Sequence, residues 1–214
     1  MRKFIVATFF IVWGWAVAAQ QVVVAALGDS LVQGYGLQQQ DGFVPRLETW
    51  LKAQGADVAM INAGVSGDTA ASGAARASWT LTPEVDALIV VLGGNDMLRG
   101  IDPGVTRGHL DRVMRVAAGA NVPVLLVGQK APGNYGPDYQ AQFDAIYPEL
   151  AAEYGAILYD NFFAALVAKG TDVATLRRYM QRDGIHPNPR GVQVVVDDIG
   201  PYALQLVNRA AAGG

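Results

Sequence analysis

The chain has only two histidines, so a search for a proton-transferring base is short. A serine hydroxyl is a weak nucleophile until a base takes its proton, and histidine suits that task because its pKa lies near neutral pH. His109 sits in Thr106-Arg107-Gly108-His109-Leu110-Asp111, a charged helical stretch, and reads as a solvated surface residue. His186 sits in Asp183-Gly184-Ile185-His186-Pro187-Asn188. Pro187 biases the backbone of His186 toward an extended conformation. Asp183, three residues earlier, can turn back and accept a hydrogen bond from the imidazole Nδ1–H, fixing the tautomer and stabilising the imidazolium. The bland alternative makes Asp183 and Asn188 a turn residue and a helix cap.

Ser30, in Gly28-Asp29-Ser30-Leu31, is the candidate nucleophile, although a serine there could simply cap the next helix. The Gly-x-Ser-x-Gly elbow of another hydrolase fold is absent, because Val32 stands where that motif ends in glycine. Asp29 is a neighbour of Ser30 and points to the opposite side of an extended chain, so local hydrogen bonding is its expected role. Negative charge developing on a carbonyl oxygen needs fixed donors. The Ser30 and Gly64 N–H groups and the Asn95 side-chain amide are the candidates. Asn95 follows Gly93-Gly94 and would, alone, pass for a turn residue. Together, four unrelated turns would each have to resemble a different part of one site.

These residues need elements that bring them together. Val22–Leu27, Val58–Ile61, Val85–Leu92, Val122–Val127 and Ala156–Tyr159 are apolar runs of strand length, suited to strands buried on both faces. Between them, Phe43–Gln54 and Asp138–Tyr154 carry apolar residues at helical spacing. Asp68–Ser78 and Val105–Ala118 are weaker helical segments. A last helix runs from Pro189 to about Val207, with Asn188 as its cap and Pro189 in its first turn. Strands alternating with helices predict βαβ units and a parallel sheet covered on both faces. Ligands bind such sheets beyond the carboxyl ends of the strands. The clusters at Gly28, Asn62-Ala63-Gly64-Val65-Ser66-Gly67-Asp68 and Gly93-Gly94-Asn95-Asp96 all follow strands, and the Asp183–Asn188 turn could fold back over them.

With 51% hydrophobic and 16% charged residues, the 214-residue chain has enough apolar material for a sizeable core. A net charge of -3 argues against nucleic acid, which demands a basic face. Zero cysteines remove disulfides, thiol nucleophiles and thiolate metal ligands. Residues 1–19 read as a signal peptide: Arg2 and Lys3, an apolar stretch from Phe4 to Val17, then Ala16-Val17-Ala18 or Val17-Ala18-Ala19 as the cleavage signal. That stretch is short against the roughly 20 residues of a spanning helix, so no stable membrane anchor is expected after cleavage. Residues 20–214 form one domain, and nothing demands more than a monomer.

The ordered set Gly28-Asp29-Ser30-Leu31 with Gly34-Tyr35-Gly36, Ser66-Gly67-Asp68-Thr69, Gly93-Gly94-Asn95-Asp96 and Asp183-Gly184-Ile185-His186-Pro187-Asn188 resembles the SGNH/GDSL hydrolase family. Asn134-Tyr135-Gly136 and Ile146-Tyr147-Pro148 narrow the resemblance to its bacterial arylesterase and thioesterase/lysophospholipase branch. The resemblance implies an α/β fold: a flavodoxin-like three-layer α/β/α sandwich of about five parallel strands. It implies Ser30 as nucleophile, Asp183 and His186 completing the triad, Gly64 and Asn95 completing the oxyanion hole, and no metal or organic cofactor. The implied partner is a small-molecule acyl ester or thioester, and the implied location the periplasm or exterior. Met97, Leu98 and Ile101, with the segment Ala131–Pro137 that holds Asn134 and Tyr135, are the expected acyl-pocket residues. The same site chemistry would serve a carbohydrate O-deacetylase, and a reading from another class is a non-catalytic periplasmic binding protein on this fold. Thr171–Gln181 matches the family least well.

Overall fold

The computed structural model describes residues 21–213; the expected signal peptide therefore lies outside the described residues. Strand β1 (Val22–Gly28) leads into a one-turn helix α1 (Ser30–Gln33), and α2 (Phe43–Ala53) returns the chain to β2 (Val58–Gly64). There follow α3 (Ala70–Thr80), β3 (Ala87–Val91), α4 (Gly94–Leu98), α5 (Pro103–Gly119) and β4 (Val124–Val127). The chain ends with α6 (Pro137–Tyr154), β5 (Ile157–Tyr159), the short helices α7 (Ala164–Val167) and α8 (Val173–Tyr179), and the long α9 (Pro189–Gly213).

All strand pairs are parallel, in the order β2-β1-β3-β4-β5. The parallel sheet is the one expected from the alternation of elements, and its order is the doubly wound flavodoxin-like one that the family resemblance implies. Strand side chains alternate between faces. Val24, Ala26, Ile89 and Leu125 meet α2 and α9 on one side, whereas Ala25, Leu27, Leu88 and Leu126 meet α3, α5 and α6 on the other. β3 is buried at every residue because both faces are covered and both edges paired. β2 is an edge strand, and its residues from Ala59 onward are only partly buried or exposed, unlike the fully buried strand its apolar run suggests.

Helix starts follow local chemistry. Asp102 caps α5 by accepting the Gly104 and Val105 N–H groups, with Pro103 in the first turn, two residues before the start that apolar spacing alone marks. Asn188 caps α9 as expected, its Oδ1 accepting from the Arg190 and Gly191 N–H groups. The order of strands reverses at β1, with β2 to one side and β3 to the other. The crevice beyond the C-terminal ends of β1 and β3 is thus the topological switch point, where such sheets bind ligands.

Candidate active site

β1 delivers Ser30 to this crevice. The chain leaves Gly28 and enters α1 at once, with Asp29 as the cap, its Oδ1 accepting the Leu31 N–H at 3.0 Å. Ser30 is the first residue of that helix, and its N–H makes no hydrogen bond among the described residues. β3 delivers Asn95 through Gly93, at φ 103°, into the first turn of α4.

His186 arrives from far along the sequence. Its turn is closed like a hairpin: Met180 and Pro187 form an antiparallel bridge, and the Gln181 N–H donates to the His186 carbonyl at 2.7 Å. Gly184, at φ 69°, supplies the left-handed residue the turn needs. Asn188 locks the base of the turn by donating from Nδ2 to the Arg178 and Met180 carbonyls. The Tyr35 ring packs against the imidazole with centroids 4.7 Å apart. The outcome is one hydrogen-bonded chain. Asp183 Oδ2 lies 2.7 Å from His186 Nδ1, and His186 Nε2 lies 2.8 Å from Ser30 Oγ. The other Asp183 oxygen accepts the Ile185 and His186 N–H groups. Chiefly through its bond to His186, the Asp183 carboxyl is held down at about 2.

Asp29 behaves in the opposite way. Burial pushes its carboxyl up to about 6, opposed by the Leu31 N–H bond, His186 and Asn95. The folded state therefore favours the neutral acid. That stabilisation is complete below the ordinary value of 3.8 and is lost as pH rises through about 6. We expect Asp29→Asn to remove a pH dependence of about 2–3 kcal/mol between about pH 4 and about pH 7. Thermal melts of both proteins across that range check this; parallel profiles would refute it.

The donors differ in part from expectation. Asn95 Nδ2 donates to the Asp68 carbonyl at 3.0 Å and, more weakly, to Asp29 Oδ2 at 3.3 Å. Gly64 is not brought to the cavity. It is the last residue of β2, paired with Gly28, and its N–H donates to Asn62 Oδ1 at 3.0 Å. The turn beyond it carries Gly67 to the cavity wall instead, at φ 85°. The Gly67 N–H has no acceptor among the described residues. Arg99 Nη2 holds its carbonyl at 2.9 Å. Arg76 fixes the turn from behind, with Nε on Asp68 Oδ2 at 2.7 Å and its other nitrogens on the Ala63 and Gly28 carbonyls. No sequence signal marked Arg76, because its value lies in bridging two strand ends.

Ser30, His186, Asn95 and Gly67 border a cavity of about 510 Å³. Met97 and Leu98 line it as expected, together with Phe163 and Leu166, and with Leu176 and Met180 from Thr171–Gln181, the segment that matches the family least well. Ile101, Asn134 and Tyr135 do not. Ile101 is bound back into its own turn, its N–H on the Asp96 carbonyl and its carbonyl accepting from Tyr139 Oη at 2.9 Å. Tyr135 stands one layer behind the wall, donating from Oη to the Leu98 carbonyl at 3.3 Å, and Asn134 is exposed in the same loop. Gln129, after β4, also lines the cavity; it is 1% exposed, and its Nε2 has no partner among the described residues. Glutamine's burial depends wholly on packing, so no local pattern marked it. His109 is half-buried on α5 and does not line the cavity. Among the described residues, no group of three or more His, Cys, Asp and Glu side chains converges as a metal site requires.

Within α/β folds, this placement of a hydroxyl, an imidazole and a carboxylate at the switch point marks the class of ester-cleaving serine hydrolases. Residues 26–194 match the GDSL-like Lipase/Acylhydrolase family. The chain is 36% identical over 191 residues to Esterase TesA of Pseudomonas aeruginosa, covering 89% of this chain and 90% of that protein. It is 34% identical over 194 residues to Thioesterase 1/protease 1/lysophospholipase L1 of Escherichia coli, covering 90% and 88%. The crystal structure of AlinE4, an SGNH-hydrolase family esterase, superposes with a TM-score of 0.71 at 39% identity, covering 88% of this chain and 97% of that one. The chain belongs to the GDSL-like lipase/acylhydrolase family.

Proposed function

We propose that this enzyme cleaves carboxylic esters of aryl alcohols or of short and medium acyl chains, and acyl thioesters, through an acyl-enzyme on Ser30. The observation that carries this reading is the unbroken Asp183–His186–Ser30 hydrogen-bond chain at the edge of an apolar cavity. His186 Nε2 takes the Ser30 proton as Oγ attacks the carbonyl carbon, and Asp183 stabilises the imidazolium. The Ser30 and Gly67 N–H groups, both free of other acceptors among the described residues, hold the oxyanion, and Asn95 Nδ2 joins them by giving up its long bond to Asp29. His186 then protonates the departing alcohol or thiol. Water, activated by the same imidazole, releases the acid and restores Ser30. The test is labelling by a fluorophosphonate followed by peptide mapping, together with turnover of p-nitrophenyl butyrate. Modification anywhere but Ser30 contradicts the reading.

Two further outcomes follow from the geometry. Asn95→Ala should lower kcat by about 100-fold with little change in KM, because one donor to the developing charge is lost. A matching rise in KM would assign Asn95 to ground-state binding. Leu98 lines the cavity yet is 53% exposed, so its wall can be trimmed without opening the core. Leu98→Ala should lower kcat/KM for hexanoate and longer esters by about three- to tenfold relative to acetate. An unchanged chain-length profile would remove Leu98 from the acyl wall.

The reading also includes export by a leader over residues 1–19 and action as a monomer. Every group in the site comes from one chain, and no helix among the described residues is long and apolar enough to cross a membrane. Cell fractionation with and without residues 1–19 tests the first point.

A further inference from the structure

Burying a primary amide without a partner is costly, because its N–H groups lose water and gain nothing in exchange. Gln129 stands in that condition on the wall of the catalytic cavity: it is 1% exposed, and its Nε2 has no partner among the described residues. Other polar side chains of that wall are engaged. Asp29 accepts the Leu31 N–H, Ser66 Oγ donates to Gln33 Oε1, Asn95 donates to the Asp68 carbonyl, and Ser30 and His186 bond each other. Much of the remaining lining is apolar, with Met97, Leu98, Phe163 and Leu166 in it.

The amide is held at a fixed place. β4 ends at Val127, and Gly128 then pins the chain to the turn after β5. Its N–H donates to the Tyr159 carbonyl at 2.7 Å, and its carbonyl accepts the Phe162 N–H at 2.9 Å. A side chain at Gly128 would begin 2.1 Å from the Asp160 carbonyl oxygen, so this close approach requires glycine. On the other flank, the Ala131 N–H donates to Asp144 Oδ1 at 2.8 Å, and the Ala131 carbonyl accepts from Gln140 Nε2 at 2.9 Å. A side chain begun at Gly94 would lie 3.3 Å from Asp29 Oδ2 and 4.0 Å from Gln129 Cδ. Gln129 therefore stands beside the turn that presents Asn95.

The strand order decides which part of a substrate meets it. His186 packs on Tyr35, directly after α1 and hence over β1, whereas Gln129 follows β4, two strands away or about 10 Å. The leaving group takes its proton from His186 and departs on the β1 side. The acyl group extends the other way, past Asn95 to Gln129. An unsubstituted chain would lay methylenes against the amide and leave its N–H groups unpaired. A hydroxyl accepts from Nε2 and can donate to Oε1, answering both halves of a primary amide. We propose that Gln129 is a specificity-determining residue that binds a hydroxyl on the acyl chain close to its carboxyl end, so that hydroxyacyl esters or thioesters are preferred over unsubstituted ones. This rests on the reading of Ser30 and His186 given above.

The experiment measures kcat/KM for methyl octanoate and for its 2-hydroxy and 3-hydroxy derivatives, each enantiomer separately, by titration of the released acid. The parent should favour one hydroxy ester over octanoate by about tenfold or more, and one enantiomer over its mirror image, because the amide is fixed on one wall. Gln129→Leu, and Gln129→Met as a second variant of similar volume, should each lower that ratio by about tenfold or more. Taking the ratio within each variant cancels damage common to all substrates. A parent with no preference for either hydroxy ester overturns the proposal, as does a ratio that neither substitution changes. Binding separates this inference from the catalytic one. Ser30→Ala protein should bind 2-hydroxyoctanoate or 3-hydroxyoctanoate about tenfold more tightly than octanoate in calorimetry. Equal affinity, or no binding of any of the three at millimolar concentration, sinks the subsite whether or not esters are hydrolysed; failure of the catalytic reading shows instead as fluorophosphonate labelling away from Ser30.

Discussion

Replacing Ser30 with alanine is expected to lower kcat on p-nitrophenyl esters by about 10⁴-fold or more, leaving only the acceleration that bound donors give to attack by water. Ser30 is half-buried at the tip of α1, and the substitution removes one oxygen whose only side-chain hydrogen bond is to His186. The cap on α1 comes from Asp29, so the helix does not depend on the hydroxyl. Stability should therefore be almost unaffected, and a melting curve matching that of the parent would separate loss of chemistry from loss of fold. Turnover within about tenfold of the parent would place the nucleophile elsewhere.

Asp183→Asn should approach the same size of effect for a different reason. One Asp183 oxygen accepts the Ile185 and His186 N–H groups, at 2.9 and 3.1 Å. An asparagine must keep its carbonyl oxygen there, since its amide nitrogen would face two donors. The amide nitrogen then falls opposite His186 Nδ1, where the carboxylate oxygen stood at 2.7 Å. It donates to Nδ1 and moves the imidazole proton to Nε2, the atom that must accept the Ser30 proton. A loss of about 10⁴-fold in kcat is expected, as for a triad aspartate elsewhere. The carboxyl is held down at about 2, so the parent enzyme should show no activity step from Asp183 until pH falls toward that value. A kcat for Asp183→Asn within tenfold of the parent would reduce Asp183 to a turn residue.

The elements that hold this site were legible to different degrees. The five apolar runs became five strands, because burial on both faces demands continuous apolar residues and leaves an unambiguous trace. Their ends moved: the run Val85–Leu92 became Ala87–Val91, and Val58–Ile61 extended to Gly64. The second change matters for chemistry. Because β2 stays in register with β1 as far as Gly28 and Gly64, Gly64 belongs to the sheet, and the turn that reaches the cavity begins only at Val65. Both glycines are equally available to the eye; only the length of the ladder separates them. α4, α7 and α8 were not anticipated, since four to seven residues are too few to show helical periodicity.

By itself the sequence determined the fold class and picked out Ser30, Asp183 and His186, which the structure brings into one hydrogen-bonded chain, because these depend on residue type and on short-range pattern. Tertiary structure decided which backbone N–H groups stay unpaired, that Arg76 ties two strand ends together, and that Ile101, Asn134 and Tyr135 stand off the cavity while Gln129 lines it. Those outcomes turn on distances between segments far apart in the chain. Packing of the whole domain sets them, and no local pattern records it.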